Sequence, residues 1–495
     1  MSPALLLFFV FAYFALLLGV AWATSRNSNN ESFFIGNHGS NWMLVSFGMI
    51  GTSLSGVTFI SVPGAVGMDG FGYLQVTFGY VLGYLVVAFV LLPRYYRHRL
   101  TSIYRYLDTR LGSGAYLTGA GFFILSRTLG ATARLYLVVR ILQDVILDGF
   151  HVPFWLTALV ILAMILLYTY EGGVKTIVWT DTLQTSCMLL GLVICVLYIL
   201  DSLHLSLADS LLQMQQRGLA TVWSLDIDSK QYFLKQVLAG MFIAIAMTGM
   251  DQEMMQKTIS VKTLADSRKN ILVLSLVITA VIALFLFLGG LLYLYAPVVG
   301  VTASGDRIFP AIVLGHLPVL VQMIFIIALI SALFPSADGA ITALTSSFCI
   351  DILKFERRQD MGEADRKRLR QRVHLCFALL FLGLVILFRW ADSPSMIGII
   401  LKLAGYTYGP LLGLFAFGVL TRRAVRNAWV PGIAVLAPLL CYLLDMYQAA
   451  LFGAYRIGLE LLLINGLLTF AGLWAISRPA EALATKAAPV AAARA

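Results

Sequence analysis

Thirteen runs of apolar residues, most of them close to 20 residues long, leave this chain few ways to fold. About 20 consecutive apolar residues bridge the hydrocarbon core of a bilayer as an α-helix, which satisfies its own backbone there. The runs fall near residues 3–23, 42–68, 72–96, 115–146, 154–170, 177–200, 233–252, 270–295, 312–350, 373–390, 396–420, 428–447 and 457–477. Of the 495 residues, 60% are hydrophobic and only 12% charged. A soluble protein uses about 25% charged residues to cover its exterior. The sequence therefore reads as an all-α polytopic membrane protein, a single transmembrane domain whose outer surface meets the lipid bilayer. The first run ends in Ala21-Trp22-Ala23, like a signal-peptide cleavage site, but it lacks a basic leader and is longer than a signal core, so it is expected to stay as a leading helix.

The formal charge of +10 is unevenly placed. With the N-terminus outside, 25 of the 35 Lys and Arg residues fall on the inner side and six on the outer, an asymmetry that sets the orientation of helical membrane proteins. Arg127, Arg134, Arg140 and Lys402 lie within spans. The expected topology is N-terminus out and C-terminus in, in the cell (inner) membrane. It explains the basic charge without a nucleic-acid partner. The longest polar stretches, 201–232 and 352–372, are too short for soluble domains, and the Ala-rich tail 478–495 has no room for a signalling domain. The five cysteines sit in apolar runs without a CxxC pair, and no two of the six histidines fall within helical reach of each other. With no nucleophile–base pair or metal constellation, the chain is not read as an enzyme, and no organic cofactor is implied.

Ionisable groups at bilayer depth cost about 2.5–3.5 kcal/mol each on insertion scales unless they face protein or water. Asp181, Asp338, Arg127, Arg134 and Lys402 are therefore the leading functional candidates. Arg127 and Arg134 stand two helical turns apart on one face, an arrangement that suits a carboxylate or phosphate. It equally suits ion pairs with Asp181 or Asp338. The second run carries Gly51 and Gly56 among Thr52, Ser53, Ser55 and Thr58 and ends in Pro63-Gly64. An interrupted helix there would free carbonyls able to bind a hard cation, whereas close packing through small residues is the competing reading. In the run 312–350, Ala332, Pro335, Ser336 and Gly339 share one face, and Pro335 deprives the Ser331 carbonyl of its helical partner.

Four stretches in order along the chain resemble the sodium:solute symporter family, which includes sodium-coupled sugar, proline and sialic-acid transporters. They are Pro93 to Gly112, Gly172 to Gln184 with Trp179-Thr180-Asp181, Asp251-Gln252 to Gln256-Lys257, and the Gly-rich Gly405 to Gly413. The resemblance implies a leucine-transporter-like 5+5 inverted repeat over about 42–420, with one leading helix (3–23), two trailing helices (428–477), and the first and sixth core helices broken at the binding site. It implies a main sodium site formed by the carbonyls of Gly51 and Leu54, by Ala332 and by the Ser336 hydroxyl. It also places Asp181 and Asp338 at a second cation or proton site. The solute would sit beside Ser55, Thr58 and Gln75, near Arg127 and Arg134. The chain departs from the family pattern at Pro335, where a hydroxyl ligand is expected.

The expected function is secondary symport, with inward Na⁺ movement driving uptake of a small polar, possibly anionic, solute by alternating access. Proton coupling through Asp181 and Asp338 is the alternative, motivated by Pro335. A non-transporting sensor is the remaining reading, disfavoured by the short tail.

Overall fold

The computed structural model describes residues 3–25, 33–34, 39–355, 361–390 and 396–479. Arg26, His38 and the tail from residue 480 lie outside the described residues. The architecture is helical throughout, apart from a ribbon in which β1 (Arg423–Val425) pairs antiparallel with β2 (Ser477–Pro479). We number the long helices α1 (Pro3–Ser25), α2 (Trp42–Asp69), α3 (Tyr73–Arg97), α4 (Ser113–Leu142), α5 (Phe154–Leu203), α6 (Phe233–Gly249), α7 (Gln252–Ile259), α8 (Leu264–Val299), α9 (Val319–Ile352), α10 (Glu363–Phe388), α11 (Met396–Thr407), α12 (Gly409–Leu420), α13 (Asn427–Phe452) and α14 (Leu461–Ala475).

Nine described helices are long and apolar enough to cross a membrane, or eleven if the bent pairs α6–α7 and α11–α12 each count as one span. The segment Phe154–Thr169 and helix α14 are apolar but shorter, so the expected count of thirteen depends on those two. The two runs expected at 154–170 and 177–200 form one helical stretch, α5, bent at Gly173, whose φ of 55° only glycine adopts without strain.

Burial follows depth in the bundle. Every residue of α9 from Ala328 to Ser347 is buried, whereas α1 and α13 turn much of their surface outward. This is what a bilayer-embedded bundle requires: small and polar residues meet inside, and Leu, Phe and Trp cover the lipid face. Phe59 of α2 packs against Phe285, Phe309 and Phe325, tying α2, α8 and α9 at the core.

At two points the seam between α3 and α6 has no side-chain layer. A methyl group on Gly79 would stand 2.1 Å from the Val237 carbonyl oxygen, and one on Gly240 would stand 2.0 Å from that of Val76. The two backbones are in direct contact, a closeness only glycine permits.

Two breaks matter for function. In α2 the helix is interrupted at Ser55 (φ 53°, ψ 167°). Between α6 and α7 the axis turns by 64°. Asp251 opens α7 as an N-cap, accepting hydrogen bonds from the amides of Glu253 (2.9 Å) and Met254 (3.3 Å). Breaks in the first and sixth helices of the core are what the resemblance implied.

Candidate functional site

The left-handed conformation of Ser55 interrupts the i→i+4 ladder of α2. The turn that precedes the break, Gly51 to Leu54, is the end of that half-helix, where carbonyls become available to ligands other than the helix itself. Glycines on either side let neighbouring helices close onto this turn. A methyl group on Gly48 would come within 3.0 Å of Asp181 Cβ, and one on Gly51 within 2.4 Å of Thr185 Oγ1 and 3.6 Å of Pro335 Cγ. The first half of α2 thus lies directly against α5 and α9.

A network of charged groups surrounds the break. Lys257 Nζ donates to Asp181 Oδ2 (2.7 Å) and to Thr52 Oγ1 (2.8 Å) and stands 3.5 Å from Glu253 Oε1. Thr52 in turn donates to the same Asp181 oxygen at 3.2 Å. Arg127 pairs with Glu253 and lies 3.8 Å from Asp251 Oδ2, which also accepts from the Tyr408 hydroxyl at 2.7 Å. Tyr168 donates to Asp338 Oδ2 at 2.7 Å. All four carboxylates are buried, as are Arg127 and Lys257. A buried charge persists only when paired and hydrogen-bonded; Asp181, Asp251 and Glu253 each have an opposite charge within 4 Å, whereas Asp338 is held by hydrogen bonds from the Tyr168 hydroxyl and the Gly339 amide.

Several oxygens in this region lack a partner among the described residues: Ser336 Oγ, Thr185 Oγ1 and Asp181 Oδ1. Each belongs to a side chain that is almost completely buried. An unsatisfied buried hydroxyl costs about 1–3 kcal/mol, so a cluster of them suits a ligand that accepts several oxygens.

Beside the break is a cavity of about 100 Å³. Leu54, Ser55, Thr58, Arg127 and Arg134 line it, together with Tyr73, Tyr80, Tyr84 and an apolar wall that includes Ile278, Ile282 and Ile397. A larger cavity of about 320 Å³ lies next to it, lined by Asp69, Lys230, Asp306, Lys402 and Asp445 among others. Tyr73, Ile397 and Leu401 line both cavities and form the partition between them.

The sequence-derived candidates separate into groups. Ser55, Thr58, Arg127 and Arg134 line the cavity, while Gly51, Asp181, Ser336 and Asp338 are buried and do not line it. Ala332 is buried one turn before Ser336 on α9. Gln75 is not a cavity-lining residue: its amide donates to the Gly72 and Gln231 carbonyls, which holds it to the connections. The two arginines differ. Arg127 is held by Glu253 and Asp251, not by Asp181 or Asp338, whereas Arg134 has no ion pair among the described residues. Lys257, expected in an inner connection, is instead buried at Asp181, because the turn at Asp251 points α7 back into the bundle. Lys402 pairs with Asp445 at 2.7 Å in the larger cavity. Sequence reasoning missed Lys257, Glu253 and Thr185 as site residues. The stretch Asp251 to Lys257, already part of the resemblance, was the available signal for the first two.

Comparison with known proteins gives a consistent picture. The model of the "Sodium:solute symporter family" matches residues 33–433. The chain is similar to the sodium-coupled monocarboxylate transporter 1 of Mus musculus, 25% identical over 81% of this chain and 66% of that one, so it spans about two thirds of that relative's length. It is also similar to the sodium/sialic acid symporter NanT of Aliivibrio fischeri, 21% identical over 93% of this chain and 92% of that one. In structure it resembles a Na⁺-coupled sialic acid symporter in a substrate-bound, outward-open state, with a TM-score of 0.81, 17% identity, and coverage of 94% of this chain and 96% of that one. The fold is thus the leucine-transporter-like arrangement.

Proposed function

The chain belongs to the sodium:solute symporter family, and we propose that it is a secondary active symporter coupling inward Na⁺ movement to uptake of a small carboxylate-bearing solute. The observation that carries the substrate reading is Arg134, a guanidinium that lines this cavity without an ion pair among the described residues, beside the broken turn of α2. A guanidinium fork in such a place is suited to a carboxylate, which it can grip through two parallel hydrogen bonds. The apolar wall opposite accommodates the body of the solute, and the Thr58 and tyrosine hydroxyls accommodate its polar groups. The family relatives that carry monocarboxylates and sialic acid have such substrates in common.

The cation reading rests on oxygen. Carbonyls of Gly51 and Leu54, with the unpartnered Ser336 hydroxyl and Ala332, offer a hard ion ligands where the helix is interrupted. Around them stand Asp181, Asp251, Glu253 and Asp338, with Lys257 and Arg127 paired among them and Arg134 lining the adjacent cavity. Sodium binding would stabilise the outward-facing arrangement in which Arg134 is accessible, and release inside would follow alternating access. The N-terminus would face outward and the C-terminus the cytoplasm.

At the second expected cation site, Lys257 already supplies a positive charge to Asp181, and Tyr168 hydrogen-bonds Asp338. The test is uptake of labelled N-acetylneuraminate and short monocarboxylates into proteoliposomes under an imposed Na⁺ or K⁺ gradient. Na⁺-driven accumulation is expected, reduced at least tenfold in Arg134→Ala. Uptake indifferent to the Na⁺ gradient would refute the coupling, and a fully active Arg134→Ala would refute the substrate anchor.

A further inference from the structure

We propose that Thr185 of α5 is a ligand of the coupling Na⁺, taking the coordination position that Pro335 leaves without a hydroxyl. The inference rests on the sodium reading above and extends it to a residue and a helix outside the expected site.

Three observations converge on Thr185. The first is an unused hydroxyl. On the same helix Thr180 donates to the Thr176 carbonyl at 3.3 Å, Thr182 to Val178 at 2.7 Å and Ser186 to Thr182 at 2.8 Å. Bonding back by one turn is how a hydroxyl inside a helix ordinarily satisfies itself. Thr185 is 0% exposed and makes no such bond to Asp181, nor any other among the described residues. Its Oγ1 is held away from the local acceptor, at the cost of a buried, unsatisfied group.

The second is its position. Thr185 lies one helical turn beyond Asp181, and its Oγ1 is directed at Gly51, where a methyl group would come within 2.4 Å. Gly51 is the start of the turn that ends at the break at Ser55. With no side chain at Gly51, Thr185 Oγ1 packs directly against that backbone.

The third is Pro335. Its ring carbon Cγ faces the same Gly51 position at 3.6 Å, so α9 presents hydrocarbon there. The next residue, Ser336, contributes a second buried and unpartnered hydroxyl. Two buried, unpartnered hydroxyls thus belong to the two helices, α5 and α9, that close onto Gly51, while the proline at the contact supplies no oxygen. A hard monovalent cation is the ligand that all of these groups accept at once.

The experiment uses the full chain, purified in detergent without solute, and follows the melting temperature as Na⁺ replaces K⁺ at constant ionic strength. The variants are Thr185→Val, which keeps the shape, Thr185→Ser, which keeps the hydroxyl, and Thr185→Val with Pro335→Ser. Wild type should be stabilised saturably by Na⁺. Thr185→Val should raise the half-saturating Na⁺ concentration at least tenfold, Thr185→Ser should stay within about threefold of wild type, and Pro335→Ser should restore most of the loss. An unchanged Na⁺ response in Thr185→Val, or a double variant as weak as the single one, overturns the assignment to Thr185. No Na⁺ response in wild type overturns the sodium reading itself.

Discussion

Removing the Lys257 ammonium is the sharpest test of how the buried charges are held. At 2.7 Å from Asp181 Oδ2, the attraction at an effective dielectric of 20 is about 6 kcal/mol before desolvation is subtracted. Lys257→Met keeps the stem's length and leaves Asp181 with only Thr52, and Glu253 with only Arg127. Breaking a buried pair on one side costs about 3–5 kcal/mol, because the surviving charge loses its partner. Asp181→Asn in the same chain removes that stranded charge, so the double variant should recover most of the loss. Denaturation in nanodiscs of wild type, both single variants and the double gives the coupling between the two side chains, expected to exceed about 2 kcal/mol. Additive single effects, with coupling under about 0.5 kcal/mol, would refute the pair as a unit. The vacated ammonium seat also makes a second forecast for the same samples: high Na⁺ should stabilise Lys257→Met more than wild type.

Two further outcomes follow from packing and exposure. Gly51→Ala would force a methyl against Thr185 Oγ1 at 2.4 Å, so it should lower the melting temperature and abolish the Na⁺-dependent rise, whereas Gly121→Ala, with open space around it, should change neither. Lys402→Ala removes a pair whose lysine is 59% exposed, so the stability change measured by denaturation should stay below about 1 kcal/mol.

The helical class and the interruption of α2 were legible because both are written in local composition: long apolar runs, and glycines among hydroxyls at Gly51 to Thr58. The paired arginines were legible as residues but not as partners. Arg127 meets Glu253 across 126 positions of sequence, and no local pattern distinguishes it from Arg134. Lys257 was misplaced for a related reason. It follows a polar stretch that reads as a connection, and only the 64° turn at Asp251 returns it to the bundle. Thr185 left no trace at all, since a threonine on an apolar helix is ordinary until its hydroxyl is found without an acceptor.

The glycine seam between α3 and α6 also limits which substitutions the molecule can accept. Backbones meeting at Gly79 and Gly240 leave no room for a side chain between them, so a bulkier residue at either position would pry the two helices apart.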